Sequence, residues 1–149
     1  MIKNINNLGD AAIYCDFGDK INEETNARVI STFKCIKNSN IEGITNLAPS
    51  YNKLIITFDL HITNFLKIKR EVENLNLESF KHDIFKTIEI PICFHKNFAL
   101  DLDRLKKNLN LSKDKIIEIF LEKTYFCYMT GFIAGMPFLG DINDRLRLN

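Results

Sequence analysis

Tyr125-Phe126-Cys127-Tyr128-Met129-Thr130-Gly131-Phe132-Ile133-Ala134-Gly135-Met136-Pro137-Phe138-Leu139-Gly140 is the stretch on which the reading of this chain turns. Its first six residues alternate, with Tyr125, Cys127 and Met129 on one face and Phe126, Tyr128 and Thr130 on the other. That two-residue period is the signature of a strand. Gly131, Gly135 and Gly140 then open backbone angles that other residues avoid, and Pro137 fixes one more, so the strand is expected to turn sharply. Apolar residues fill the gaps between the glycines, which predicts a loop packed against something. A buried structural turn and a ligand-contacting loop both fit that pattern.

Composition narrows the remaining choices. The chain has 149 residues, 46% hydrophobic and 26% charged, which suits one soluble domain or two small ones. Its formal net charge is +1, so neither a nucleic-acid partner nor an acidic membrane surface is expected. No apolar run approaches bilayer length, and the first twenty residues lack a signal-peptide core. The expected location is the cytoplasm. Cys15, Cys35, Cys93 and Cys127 lie far apart, outside zinc or redox spacings, and are expected to be reduced, buried thiols.

Outward from the opening stretch, the N-terminal part alternates strand and helix patterns. Residues 11–17 place Ala11, Ile13, Cys15 and Phe17 on one face. Asn22 is a good N-cap, with Glu23 and Glu24 in the first turn and a Val29, Ile30, Phe33, Ile36 stripe behind them. A short strand at 43–47 leads through a Pro49-Ser50-Tyr51-Asn52 turn into residues 53–59, where Leu54, Ile56 and Phe58 face together. A second helix over about 63–75 should bury Ile62, Phe65, Leu66, Val72 and Leu75. Residues 86–94 alternate again and predict a strand burying Ile88, Ile90, Ile92 and Phe94, pushed toward an edge or bulge by Pro91. This order predicts an α+β fold that begins with a ferredoxin-like β-α-β-β-α-β unit over 1–85, one sheet face left open. Two short helices follow, one with Leu102 and Leu105 inward and one capped by Ser112 with Ile116, Ile117 and Phe120 as its stripe.

Candidate chemistry is sparse. His61, His82 and His95 form no metal spacing, and surface or capping roles stand beside a pH-responsive contact. Asp101 and Asp103 fit either a cation or a helix dipole, and Lys67, Lys69 and Arg70 with Glu71 and Glu73 fit a solvated face. No metal site is expected, and no catalytic residue stands out.

The pieces, taken in order, resemble one family. Gly9-Asp10-Ala11-Ala12 with Phe17-Gly18, then Ile21 and Asn26, Leu47-Ala48-Pro49-Ser50-Tyr51, Ile90-Pro91-Ile92-Cys93-Phe94, Asp101-Leu102, Leu111-Ser112 and the glycine hairpin all resemble its motifs. The family holds the B subunit of bacterial 5-oxoprolinase, the first subunit of allophanate hydrolase and a small inhibitor of a sporulation histidine kinase. The resemblance implies ATP-dependent hydrolysis of a cyclic amide, 5-oxoproline to glutamate, in a complex with companion 5-oxoprolinase subunits, among them a barrel protein like the C subunit. It also implies that 86–149 begins a cyclophilin-like β-barrel left incomplete at Asn149. The chain is then expected to be inactive alone, with ATP belonging to the assembled complex and no cofactor of its own. The alternatives are a non-enzymatic module resembling the kinase inhibitor, or a truncated or split-gene remnant. The sequence departs from the family at Phe120, where a His is common, and at Ala134, where the signature has a proline. The resemblance marks Gly131, Phe132, Gly135, Pro137, Phe138 and Gly140 as a substrate or partner loop, with Pro49, Ser50 and Tyr51 as a turn motif. An uncovered C-terminal strand also predicts a homodimer.

Overall fold

Alternation becomes a sheet where two patterned strands find each other. In the computed structural model, which describes residues 2–75 and 86–148, Ala12–Asp16 (β2) and Lys53–Phe58 (β4) pair antiparallel with Ile13 opposite Ile56 and Cys15 opposite Leu54. Ile44–Pro49 (β3) flanks β4, with a bulge between Ile44 and Asn46, and Asn4–Asn7 (β1) flanks β2. The order is β1-β2-β4-β3, every pair antiparallel. The fold is α+β.

Two helices cover one face of this sheet. Glu23–Ser39 (α1) starts where the Asn22 side chain accepts from the Thr25 amide at 2.8 Å and stops at Asn40, which takes the left-handed conformation at φ 47°. Phe65–Glu73 (α2) is capped the same way by Asn64 on Lys67. Ile13, Cys15, Phe17, Leu54, Ile56 and Phe58 meet Val29 and Ile36 of α1 and Ile68 and Val72 of α2 in one buried core. Each such side chain contributes roughly 1.5–3 kcal/mol as an upper estimate.

Several expectations change here. The strand expected over 86–94 is not formed: these residues have no regular structure, and Ile88, Ile90 and Ile92 are 68%, 66% and 51% exposed. The fourth strand is instead β1, whose three asparagines are poor strand formers. Hairpin geometry recruits it: Gly9 turns at φ 68°, the Leu8 amide donates to Ala12 O at 2.9 Å, and Ile5 packs on the core. In α2, capping at Asn64 sets the helical phase so that Phe65, Ile68 and Val72 point inward, leaving the expected Ile62 and Leu66 exposed. Cys15 and Cys35 are buried as expected, but Cys93 and Cys127 are exposed. His82 lies outside the described residues, while His61 and His95 are exposed.

The chain divides into two compact units, Met1–Ile84 with Tyr128–Pro137, and Phe85–Cys127 with Phe138–Asn149. In the second, Leu102–Leu109 (α3) and Lys113–Leu121 (α4) gather Ile116, Ile119 and Leu146 with Leu102, Leu105 and Phe120. Ser112 caps α4 on Lys115, and Phe120 stacks on Tyr125 at 5.0 Å while meeting Phe94 edge-on at 5.9 Å. Asp101 and Asp103 each pair within α3 or its cap, with Arg104 and Lys106. Finally, Phe126–Thr130 (β5) and Pro137–Gly140 (β6) form a separate two-stranded sheet.

Candidate functional site

The connection from β3 to β4 is short, so its carbonyls cannot all be used by the sheet ladder. The Ser50 amide closes the turn on Lys53 O at 2.8 Å, and the Ser50 and Tyr51 carbonyls take a side-chain donor. Asn26, in the first turn of α1 and 2% exposed, answers both of them. Its Nδ2 donates to Ser50 O, Tyr51 O and Tyr128 O, each at 3.1 Å. An amide nitrogen has two hydrogens, so one of them is shared between acceptors. Burying an amide costs roughly 1–3 kcal/mol when it is unpaired, and both donors of this one are used.

The same spot gathers further contacts. The Tyr51 and Tyr128 rings lie 5.3 Å apart at 38°, and Ser50 Oγ donates to Met129 Sδ at 3.5 Å. Asn52 Nδ2 donates to Gly18 O at 2.6 Å, and the Phe17 amide donates to Asn52 O at 3.0 Å. Gly18, at φ 109°, sends its own amide to Asp16 Oδ1 at 2.8 Å, while Lys53 Nζ sits 3.0 Å from that oxygen. The Gly18 amide first, and Lys53 second, hold the Asp16 carboxyl below the usual carboxylate range.

Beyond Thr130 the chain turns as its glycines require. The Gly131 amide donates to Met136 O at 3.1 Å and the Met136 amide to Ile133 O at 3.1 Å, with Gly135 at φ 81°. Phe132 also takes a positive φ of 65°, a strained choice for a side chain of its size. The expectation of a packed loop is corrected: Phe132 is 91% exposed, and Ile133, Met136 and Pro137 are exposed too. Gly131, Phe138 and Gly140 are partly buried. Short spans between glycines leave these side chains no reach back to a core, so their apolar surface faces solvent.

Of the residues singled out in the sequence, the structure thus joins Ser50 and Tyr51 to the strand that carries the glycine loop. Pro49 ends β3 and starts that turn. Asn26 matters more than its helical pattern indicates, since its acceptors lie 24, 25 and 102 residues away. Only the motif resemblance points to it in the sequence. Ser50 faces a thioether, which takes no proton at neutral pH, so its hydroxyl is not set up as a nucleophile. Among the described residues, no group of three or more His, Cys, Asp or Glu gathers in a metal-binding cluster. Two open grooves of about 480 and 400 Å³ lie elsewhere, along Phe33, Lys37 and Ile44, and along Ile2, Lys3 and Lys69. The site's hydrogen bonds fasten the β3–β4 turn to the strand that precedes the glycine loop.

An antiparallel sheet with two helices on one face, and Tyr128 held at its β3–β4 turn, defines an α+β protein. The chain belongs to the family described as carboxyltransferase domain, subdomain C and D, whose model matches residues 3–149. It is 30% identical over 155 residues to the B subunit of 5-oxoprolinase from Bacillus subtilis (strain 168), covering 95% of this chain and 64% of that protein. The B subunit of 5-oxoprolinase from Haemophilus influenzae is 28% identical over 106 residues, covering 70% of this chain and 49% of the relative. The chain therefore spans about half to two thirds of the length of these relatives. Among solved structures, the crystal structure of TTHA0988 shares the fold at TM-score 0.77 and 24% identity, over 93% of this chain and 27% of that one. Among the described residues, no helix is long and apolar enough to cross a membrane.

Proposed function

We propose that this chain acts as part of a 5-oxoprolinase-type complex that opens the lactam of 5-oxoproline to glutamate at the expense of ATP. The observation that carries this reading is the 30% identity to a 5-oxoprolinase B subunit over 95% of the chain. The site agrees with a supporting role. Ser50 donates to a thioether rather than to a base, and the 131–140 loop contains no cationic side chain to meet a triphosphate. ATP therefore belongs to the assembled complex, and the companion subunits, with a barrel protein like the C subunit among them, carry most of the reacting groups. A ferredoxin-like part over 1–85, with β1 in the edge place beside β2 expected of the last strand, and the start of a cyclophilin-like barrel over 86–149 belong to this proposal, as does a cytoplasmic location.

The exposed loop is the surface through which such a complex would be built. Phe132, Ile133 and Met136 present apolar area without a charge. The test is to mix the chain with its companion subunits and follow 5-oxoproline-dependent ATP hydrolysis and glutamate release. Turnover should need every component, and Phe132→Ala should weaken assembly by roughly tenfold or more while leaving the fold intact. No turnover with a verified, complete partner set removes the reading.

The same exposed loop favours one second reading, a non-enzymatic module that binds a histidine-kinase dimerisation domain or a second copy of this chain. Co-elution with the kinase domain, or a light-scattering mass of two chains, would support it. A single-chain mass with no shift on adding the kinase would remove it.

A further inference from the structure

We propose that Asn26 is the positioning residue of this site: one buried amide holds the Pro49-Ser50-Tyr51 turn and the Tyr128 strand together and so sets the direction in which the 131–136 loop is presented. This rests on the functional reading above for its purpose, but not for its geometry. The argument starts from cost. Asparagine is a weak residue for a helix interior and an expensive one to bury, so a position where Val or Leu would pack on the core is not the natural place for it. Here it is 2% exposed and spends its donors wholly on main-chain oxygens. Main-chain acceptors make the bond insensitive to which side chains occupy the turn and the strand. They also make it sensitive to where those backbones lie.

Two further contacts between the segments are weaker guides. A tilted ring pair and a hydroxyl–thioether bond tolerate sliding, whereas three oxygens around one nitrogen do not. Beyond Thr130 the loop is closed by its own hydrogen bonds, from Gly131 to Met136 and from Met136 to Ile133, and behaves as a preformed turn. Its direction is therefore set at Tyr128, two residues before the end of β5. Asn26 grips that carbonyl. Aspartate at this position has almost the same shape but loses both donors and adds a buried charge facing three carbonyl oxygens. It reverses the interaction without changing the packing volume.

Amide hydrogen exchange separates positioning from simple support. In Asn26→Ala, the Ser50 and Gly131 amides should exchange about ten- to a hundredfold faster, while the Phe58 amide, bonded to Ala11 O just ahead of β2, keeps its protection. Equal acceleration at all three sites, or none at Ser50 and Gly131, overturns the inference. Should the variant fail to fold, the wild type decides. The Asn26 side-chain protons should then exchange with the same opening constant as the Gly131 amide, and independent opening overturns the proposal. In the assembled complex, Asn26→Asp should lower kcat at saturating companion subunits, with KM for 5-oxoproline nearly unchanged. A silent wild-type assembly would remove the functional reading alone, because the exchange contrast decides the role of Asn26 by itself.

Discussion

Residues 53–58 and 86–94 carry the same pattern and meet opposite fates. Leu54, Ile56 and Phe58 alternate and are buried, whereas Ile88, Ile90 and Ile92 alternate and stand in solvent. The difference lies in neighbours rather than in composition. Lys53–Phe58 is paired on both sides, by β2 and by β3, and roofed by two helices. No strand pairs with residues 86–94 among the described residues, and Pro91 removes one of the donors a partner would need. Periodicity states which face a strand would bury, while pairing decides whether it buries anything.

The largest expected effect breaks this comparison open. Ile56→Ala should destabilise the fold by about 2–5 kcal/mol, and Ile90→Ala by no more than about 0.5 kcal/mol, in urea unfolding followed by circular dichroism. Comparable losses would mean that residues 86–94 are packed in solution. A smaller effect sharpens it through the thiols. Ellman's reagent should titrate Cys93 and Cys127 quickly in the native protein, and Cys15 and Cys35 only on unfolding.

Burial pushes the Cys15 thiol from 9.0 up to about 12. A folded value above the unfolded one means that its contribution is intact below about pH 9 and is lost as pH rises toward about 12. Wild type should therefore lose stability faster than Cys15→Val between about pH 9 and 11. The smallest effect concerns Asp16, whose lowered value works in the opposite direction. Its contribution is present above the ordinary carboxylate value of about 3.9 and disappears as pH falls through the depressed one. Asp16→Asn should thus be less stable than wild type at neutral pH and equal to it in strong acid. A difference that persists at the lowest pH would put the loss on packing instead of charge.

Much of the sheet was legible because local and distant forces agree there. The stripes of β2 and β4 and the Asn22 cap of α1 each name their own outcome in a few residues. β1 was not legible, since Asn4, Asn6 and Asn7 speak against a strand and only the hairpin through Gly9 overrides them. The turn of the glycine loop could be foreseen but not its exposure, because burial depends on what stands opposite. Asn26 was the least legible of all. A polar residue in a helix looks like a solvated one until the two segments it binds are brought beside it.

Tyr128–Pro137 belongs with residues from the other end of the chain, and this has a practical consequence for dissection. A fragment severed near residue 85 would retain every strand of the larger sheet yet strip Asn26 of the Tyr128 oxygen and Tyr51 of its aromatic companion. Such a piece would carry a wet, half-satisfied seam beside its β3–β4 turn. Joining the excised ten residues back as a separate peptide should dry that seam, turning a covalent detour into a ligand.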